Sequence, residues 1–319
     1  MSKIILVTGG AGFIGSNLCS FLLKNNCVVY CIDNFSTGLE SNIVDFENND
    51  NFHFFKHDII QPIDIDAKFD IIINLACPAS PIQYQKNPIQ TMKSSVLGIY
   101  NLIDIALKNN SYLIHASTSE IYGDPNIHPQ HESYWGNVNP LGIRSSYDEG
   151  KRASESIIYD FVRKESLSAS ILRIFNTYGP NMTFNDGRVV SNFIISALRN
   201  ENLIINGSGN QTRCFCYIDD LISAIYVLID NPGIIPVNIG STQEMSIASL
   251  ASKIINLTNS KSNIVYAKSL EDDPMNRKPD ISFAESTLGW SPSVSIDDGL
   301  IKTIQYFKNK IYEPNTAKN

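Results

Sequence analysis

The sequence predicts an α/β fold, a doubly wound parallel sheet carrying a smaller α/β domain. Three observations predict it. Short apolar runs alternate with helical patterns along the first half of the chain, which is the rhythm of βαβ units. Several of those runs are apolar without a break, as strands buried on both faces require. The first run leads into a glycine-rich turn, Gly9-Gly10-Ala11-Gly12-Phe13-Ile14-Gly15, that opens a helix.

Taken in order, strands are expected over 4–8, 28–32, 52–56, 71–75, 112–117 and 170–174. A first helix follows over 15–25. The helix over 88–108 carries Ile89, Met92, Val96, Ile99, Tyr100, Leu102, Ile103, Ile105 and Ala106, an apolar set too wide for one sheet-facing stripe. The helix starting near Tyr147 carries Ala153, Ile157, Ile158, Phe161 and Val162. The surplus apolar surface on this pair predicts a homodimer through helices near 88–108 and 147–164. Burial under the chain's own second domain is the competing explanation.

After residue 174 the pattern changes to short elements broken by loops rich in Asn, Gly and Pro, over 176–188, 206–213 and 272–280. A helix near 219–231 and a strand near 236–240 read as a return to the first domain. The expected division is a nucleotide-binding domain over 1–175, rejoined by 217–240, and a substrate-binding domain over 176–216 and 241–312. Residues 313–319 are expected to be a frayed tail.

Composition narrows the function. Hydrophobic residues are 43% and charged residues 18% of 319, the balance of an ordinary globular protein. A net charge of −7 argues against a nucleic-acid partner. It leaves an anionic small molecule open, because local basic side chains decide that. None of the six cysteines forms a CxxC pair or stands at zinc-ligand spacing from a histidine. No metal site is therefore expected, and Cys214 and Cys216 read as core or wall thiols. The first apolar run has four residues, against roughly 20 for a membrane span. A cytoplasmic protein without a membrane partner is expected.

The glycine turn carries the first chemistry. Glycine at positions 9, 12 and 15 keeps the turn tight and lets backbone approach a pyrophosphate at the helix N-terminus. Asp33 ends the second strand, 18 residues beyond Gly15. A carboxylate there accepts from a ribose 2′-hydroxyl and repels a 2′-phosphate. The pair identifies a Rossmann domain and favours NAD over NADP. The stretch from Asn34 to Gly38 is placed to close over the ribose, and Asp58 to accept from the adenine amino group.

Tyr147 and Lys151 carry the second. At i and i+4 they share a helix face. A lysine ammonium near the phenol favours phenolate, lowering its pKa toward neutrality. The phenolate then serves as general base for a sugar hydroxyl during hydride transfer. Ala116-Ser117-Thr118-Ser119-Glu120 stands about 30 residues upstream.

Further blocks extend the pattern over roughly 4–311: Ala76-Cys77-Pro78-Ala79-Ser80-Pro81, Ser117 to Pro125, Ser146 to Arg152, Arg173 to Pro180, Asn185-Asp186-Gly187-Arg188-Val189-Val190-Ser191-Asn192-Phe193, Gly207 to Arg213, and Arg277-Lys278-Pro279-Asp280. On these residues the chain resembles the extended short-chain dehydrogenase/reductase family, and within it the UDP-glucuronate decarboxylases. The resemblance implies a UDP-sugar substrate and tightly held NAD. It implies that Tyr147 and Lys151 are the catalytic pair and that the Thr118 hydroxyl bonds the sugar. It implies that Ser119 and Glu120 face C5 and C6, and that Arg277 lies near C5 and the carboxylate. It extends the cofactor set to Phe13, Ile14, Thr37, Ile59, Leu75 and Ala76. Pro81, Asn176, Arg188, Val189, Asn192, Arg213 and Tyr217 become substrate contacts. Arginine forks suit a diphosphate and a carboxylate independently.

Three alternatives share the fold. A nucleotide-sugar 4,6-dehydratase needs an acid to protonate the departing C6 hydroxyl, and the serine at 119 cannot supply it. A UDP-glucuronate 4-epimerase must suppress loss of CO₂, against which Glu120 and Arg277 argue. A non-catalytic NAD sensor would commonly lose the Tyr or Lys retained here.

Overall fold

In the computed structural model, which describes residues 2–184 and 187–312, the predicted strands and helices form in the predicted order. Asn185, Asp186 and the expected tail 313–319 lie outside the described residues. The elements run β1 (Ile4–Thr8), α1 (Phe13–Lys24), β2 (Val28–Asp33), β3 (Phe52–Lys56), β4 (Ile71–Asn74), α2 (Pro81–Lys86) and α3 (Pro88–Asn109). They continue with β5 (Tyr112–Thr118), α4 (Ser145–Glu165), β6 (Ala169–Ile174), β7 (Thr177–Tyr178), α5 (Val189–Leu198), β8 (Leu203–Asn206), β9 (Thr212–Cys214) and β10 (Cys216–Tyr217). The last are α6 (Ile218–Ile229), β11 (Val237–Ile239), β12 (Glu244–Ser246), α7 (Ile247–Thr258), β13 (Ile264–Ala267), β14 (Asn276–Arg277), α8 (Ser282–Leu288) and α9 (Ile296–Tyr312).

Among the described residues seven parallel strands make the main sheet, in the order β11-β6-β5-β4-β1-β2-β3. The unbroken apolar runs are explained by its two faces. Ile5 and Val7 enter one core while Leu6 enters the other, and Ile71 and Ile73 oppose Ile72 in the same way. The first core takes Leu18 and Leu22 of α1 and Leu221 and Ile225 of α6. The second takes Ile99, Leu102 and Ile103 of α3 with Ile158 of α4. Strand β11 comes from beyond residue 216 and pairs with β6, so the chain returns to this sheet after an excursion.

That excursion and the chain after β11 together build smaller sheets. β13 pairs with β8, and β12 and β14 flank β9. The β9–β14 register sets Arg277 beside Arg213 although 64 residues separate them. No described helix is long and apolar enough to cross a membrane.

Two devices fix α4 against the sheet. A Cβ on Gly150 would come 3.0 Å from the Ser95 side chain, so the glycine sets how closely α4 lies on α3. Ser154 Oγ also donates to the Ser95 carbonyl at 2.9 Å. On the other side Arg173 of β6 grips Glu155 of α4 with two hydrogen bonds, at 2.7 and 3.1 Å. The same guanidinium donates to the Tyr122 hydroxyl and the Glu132 carbonyl. Ser117 donates to Glu155 at 2.5 Å. Removing one member of such a shielded pair strands the other charge. Glu155→Ala is therefore expected to lower stability by about 3 kcal/mol, read as a lower urea midpoint with unchanged slope.

Candidate active site

The switch in strand order falls between β1 and β4, whose onward connections diverge to opposite sides of the sheet. A cavity of about 810 Å³ opens there, at the carboxyl ends of the strands. All the residues assigned to the cofactor in the sequence line it, from Gly9 and Gly12 through Asp33, Asn34, Thr37, Gly38, Asp58, Ile59, Leu75 and Ala76 to Tyr147 and Lys151. So do Pro81, Thr118, Ser119, Glu120, Asn176, Arg188, Val189, Asn192 and Arg213.

The β1–α1 turn fits a pyrophosphate. Gly9 has φ +72°, and a Cβ there would come within 2.8 Å of the Leu75 backbone. A Cβ on Gly15 would drive into the Gly9 carbonyl. Gly12 caps α1 without any side-chain hydrogen bond, and the first turn holds no acidic residue. Its amides therefore face the cavity free of a carboxylate competitor. Asp33 accepts from the Ala11 amide at 3.0 Å and the Phe35 amide at 2.8 Å. Burial pushes its carboxyl up, and those N–H donors pull partly back. Asn34 and Gln90 both donate to Asp58 Oδ2, at 3.1 and 3.2 Å, which locks that carboxylate in place.

At the other end β5 delivers Thr118, and a single 3₁₀ turn, Ser119–Tyr122, delivers Glu120. The Thr118 hydroxyl accepts from the Glu120 amide at 3.2 Å. Lys151 is buried and donates to the Ala116 carbonyl at 2.6 Å. The Tyr147 ring stacks parallel on Tyr84, centroids 5.0 Å apart. The expected fall of the phenol pKa toward neutrality does not appear in the protein alone. Burial pushes Tyr147 up, the Cys77 thiol beside it adds to that, and the Thr118 hydroxyl only partly offsets them. Burial also pulls the Lys151 ammonium down.

Glu120 is the focus of the charge. Arg144 Nη2 donates to its Oε2, Arg277 Nη2 donates to the same oxygen at 3.3 Å, and Arg277 Nη1 donates to the Ser119 carbonyl at 2.6 Å. Burial pushes the Glu120 carboxyl up, but the charges of Arg277, Arg144 and Arg213 outweigh it and hold the group at about 2.

Two assigned substrate contacts do not line the cavity. Arg277 is 1% exposed and sits behind Glu120, which it supports from the rear. Tyr217 packs edge-on against Tyr178, 5.6 Å between centroids, under the Lys302 ammonium. The chain changes sheets between β9 and β10, so the alternation that brings Arg213 and Phe215 to the cavity stops before Tyr217. Arg213 lines the wall, yet much of its guanidinium is spent on Asp273 and the Thr212, Pro274 and Met275 carbonyls.

Sequence reasoning missed Arg144, Asp148, Tyr84 and Asp273. Only Arg144 carried a usable signal, standing one turn before Tyr147. Asp148 is buried with Oδ1 unpartnered among the described residues. Burial raises its carboxyl, Glu120 raises it further, and Arg144 and Arg277 pull back, leaving it at about 7.

The NAD dependent epimerase/dehydratase family model matches residues 5–240. UDP-glucuronic acid decarboxylase 1 of Xenopus tropicalis is 46% identical over 97% of this chain and 73% of its own length. UDP-glucuronic acid decarboxylase 3 of Arabidopsis thaliana is 45% identical over 97% of this chain and 90% of its own. Among solved structures, UDP-glucuronic acid 4-epimerase from Bacillus cereus, in complex with UDP-glucuronic acid and NAD, superposes with a TM-score of 0.88. It is 29% identical and covers 97% of this chain and all of that one.

The raised Asp148 carboxyl has a stability consequence. Its folded pKa, about 7, lies above the ordinary carboxylate value. The native state therefore holds a proton that the unfolded chain releases, and stability falls as pH rises between the two values. Asp148→Asn is expected to be near neutral in Tm at acid pH and to raise Tm by a few degrees once pH exceeds the folded value. Thermal melts across that window check it.

Proposed function

The chain belongs to the NAD dependent epimerase/dehydratase family, and we propose that within it the protein decarboxylates UDP-glucuronate to UDP-xylose through a 4-keto intermediate. It is an enzyme, a carboxy-lyase. Relatives named UDP-glucuronic acid decarboxylase, 42–46% identical over nearly the whole chain, support this. The carrying observation is local. Ser119 precedes a Glu120 held ionised by arginines, so the 3₁₀ turn offers a carboxylate and no acid for a departing hydroxyl.

The Gly9–Gly15 turn would hold the pyrophosphate of NAD, Asp33 the adenosine ribose, Asp58 the adenine and Lys151 the nicotinamide ribose. When bound there, NAD would supply a reversible hydride acceptor for C4 and a pyridinium charge that favours the Tyr147 phenolate. Tyr147 removes the C4 hydroxyl proton, with Thr118 holding the oxygen. The C6 carboxylate is then β to a ketone, and CO₂ leaves with its bonding electrons passing into an enolate at O4. Tyr147, now protonated, donates to that oxygen. C5 takes a proton from solvent water, Tyr147 recovers its own proton as the C4 ketone re-forms, and with the hydride back on C4 it gives that proton to O4, leaving the pentose alcohol. Glu120 orients the ring or a water, supported by Arg277 from behind. Asn176, Arg188, Val189, Asn192 and Arg213 line the end suited to the UDP moiety.

A 4-epimerase would need the same chemistry up to the ketone, and the Bacillus cereus neighbour is named for that reaction. Product analysis separates the two. Incubation with UDP-glucuronate and NAD is expected to yield UDP-xylose with release of CO₂. An isomer of unchanged mass inverted at C4 would establish the epimerase instead. Tyr147→Phe is expected to cut CO₂ release by about 10²–10⁴-fold with an unchanged melting temperature; full activity would remove Tyr147 as the base.

A homodimer is also inferred. Leu97 and Tyr100 of α3 and Tyr159 of α4 stay 44–47% exposed although α3 and α4 already pack on the sheet and on each other. Sedimentation equilibrium is expected to give twice the chain mass, and Leu97→Glu to shift it to one; a wild-type monomer would refute this.

A further inference from the structure

We propose that Arg144 is the positioning residue that holds Glu120 toward the sugar, and that Asp273 helps to hold Arg144 in turn. The inference rests on the decarboxylase reading for its kinetic consequences, but the clamp itself is geometric. Arg144 stands at the N-terminal cap of α4, three residues before Tyr147. Its guanidinium lies beside acidic side chains of three segments. Nη2 donates to Glu120 of the 3₁₀ turn, Nη1 lies 3.6 Å from Asp273, and Nε lies 4.0 Å from Asp148 one helical turn on. The side chain is 11% exposed and lines the cavity, as do Glu120 and Asp273.

This arrangement differs from that of the other two guanidiniums. Arg277 is buried behind Glu120 and spends Nη1 on the Ser119 carbonyl. Arg213 spends its donors on the segment 273–275 and on Thr212. Arg144 alone of the three joins Glu120 directly to the helix that carries Tyr147. Its planar fork suits that task, since it makes several directed contacts at once. The segment at Asp273 is tied down nearby as well, through Asn139, which donates to Asp272 at 3.2 Å. Seating of that segment, the orientation of Arg144 and the orientation of Glu120 are thus one linked set. The charged and titratable groups facing Glu120 are Arg277 from β14, Arg144 at the cap of α4 and Arg213 from β9, with Asp148 and Tyr147 on α4 and Tyr84 on α2.

The test compares Arg144→Gln, Arg144→Lys and Asp273→Asn with the wild type. In Arg144→Gln, kcat for CO₂ release is expected to fall about 10²-fold with KM for UDP-glucuronate changed only a few-fold. Arg144→Lys keeps the charge and not the fork, and is expected to recover part of kcat. Asp273→Asn, which leaves the ion pair with Glu120 intact, is expected to give a smaller fall in kcat and serves if Arg144→Gln does not fold. A rise in KM alone would overturn the proposal, because it marks a guanidinium that binds the substrate carboxylate and not one that orients Glu120.

A second readout needs no turnover. Glutamate labelled with carbon-13 at the side-chain carboxyl, with Glu120 assigned through Glu120→Gln, reports its ionisation. In the wild type the signal is expected to stay flat down to about pH 4, where an ordinary glutamate is half titrated. In Arg144→Gln its titration is expected to move up by about 1–3 pH units, and in Arg144→Lys to stay low. An unmoved Glu120 titration in Arg144→Gln would refute the clamp. A wild type that does not act on UDP-glucuronate would refute the decarboxylase reading, and the carbon-13 titration would still decide the clamp.

Discussion

The site depends on one constraint, the reversal of strand order between β1 and β4. Connections leaving those two strands diverge, so their carboxyl ends cannot be covered by the chain's own crossovers. The crevice that results is where β1 delivers the glycine turn and β5, two strands away on the other side of β4, delivers Thr118 and the 3₁₀ turn with Glu120. Chemistry at one end of the cavity and anion binding at the other are separated by strand spacing, and this separation matches a cofactor lying across the sheet edge.

Given that crevice, the catalytic helix must be held to it in register. Gly150 allows close approach to α3, and Glu155 locks to Arg173 on β6. These contacts lie one turn and two turns beyond Tyr147, and Arg144 lies one turn before it. The helix is thus fastened on both sides of its reactive residue. Glu120 is fastened to the same helix through Arg144, so Tyr147 and Glu120 share one mechanical support.

Electrostatics then divides the labour. Burial opposes ionisation everywhere in the site, and it prevails at Tyr147 and Asp148 because their nearby cations do not outweigh desolvation. It loses at Glu120, where several guanidiniums converge. The protein alone therefore keeps a neutral phenol and an ionised glutamate.

How much of this was legible beforehand follows from range. The apolar runs, the glycine turn, Asp33 and the Tyr147–Lys151 spacing are local patterns, since a strand, a turn or a helix face is defined within a few residues. The fold, and the expectation of a dinucleotide cradle and hydride transfer, could be read from them, while the decarboxylase class came from the family resemblance. The family pattern placed Glu120 and Arg277 together without saying which fronts the cavity. That order, the exclusion of Tyr217, and the roles of Arg144, Asp148 and Asp273 were decided by tertiary structure. Each depends on pairings such as β9 with β14, made across 64 residues, and on burial, which no single stretch of sequence encodes. Tyr147 and Lys151 were visible from their spacing. The state of the Tyr147 phenol was not, because desolvation by the surrounding fold, beyond the reach of one neighbouring charge, sets it.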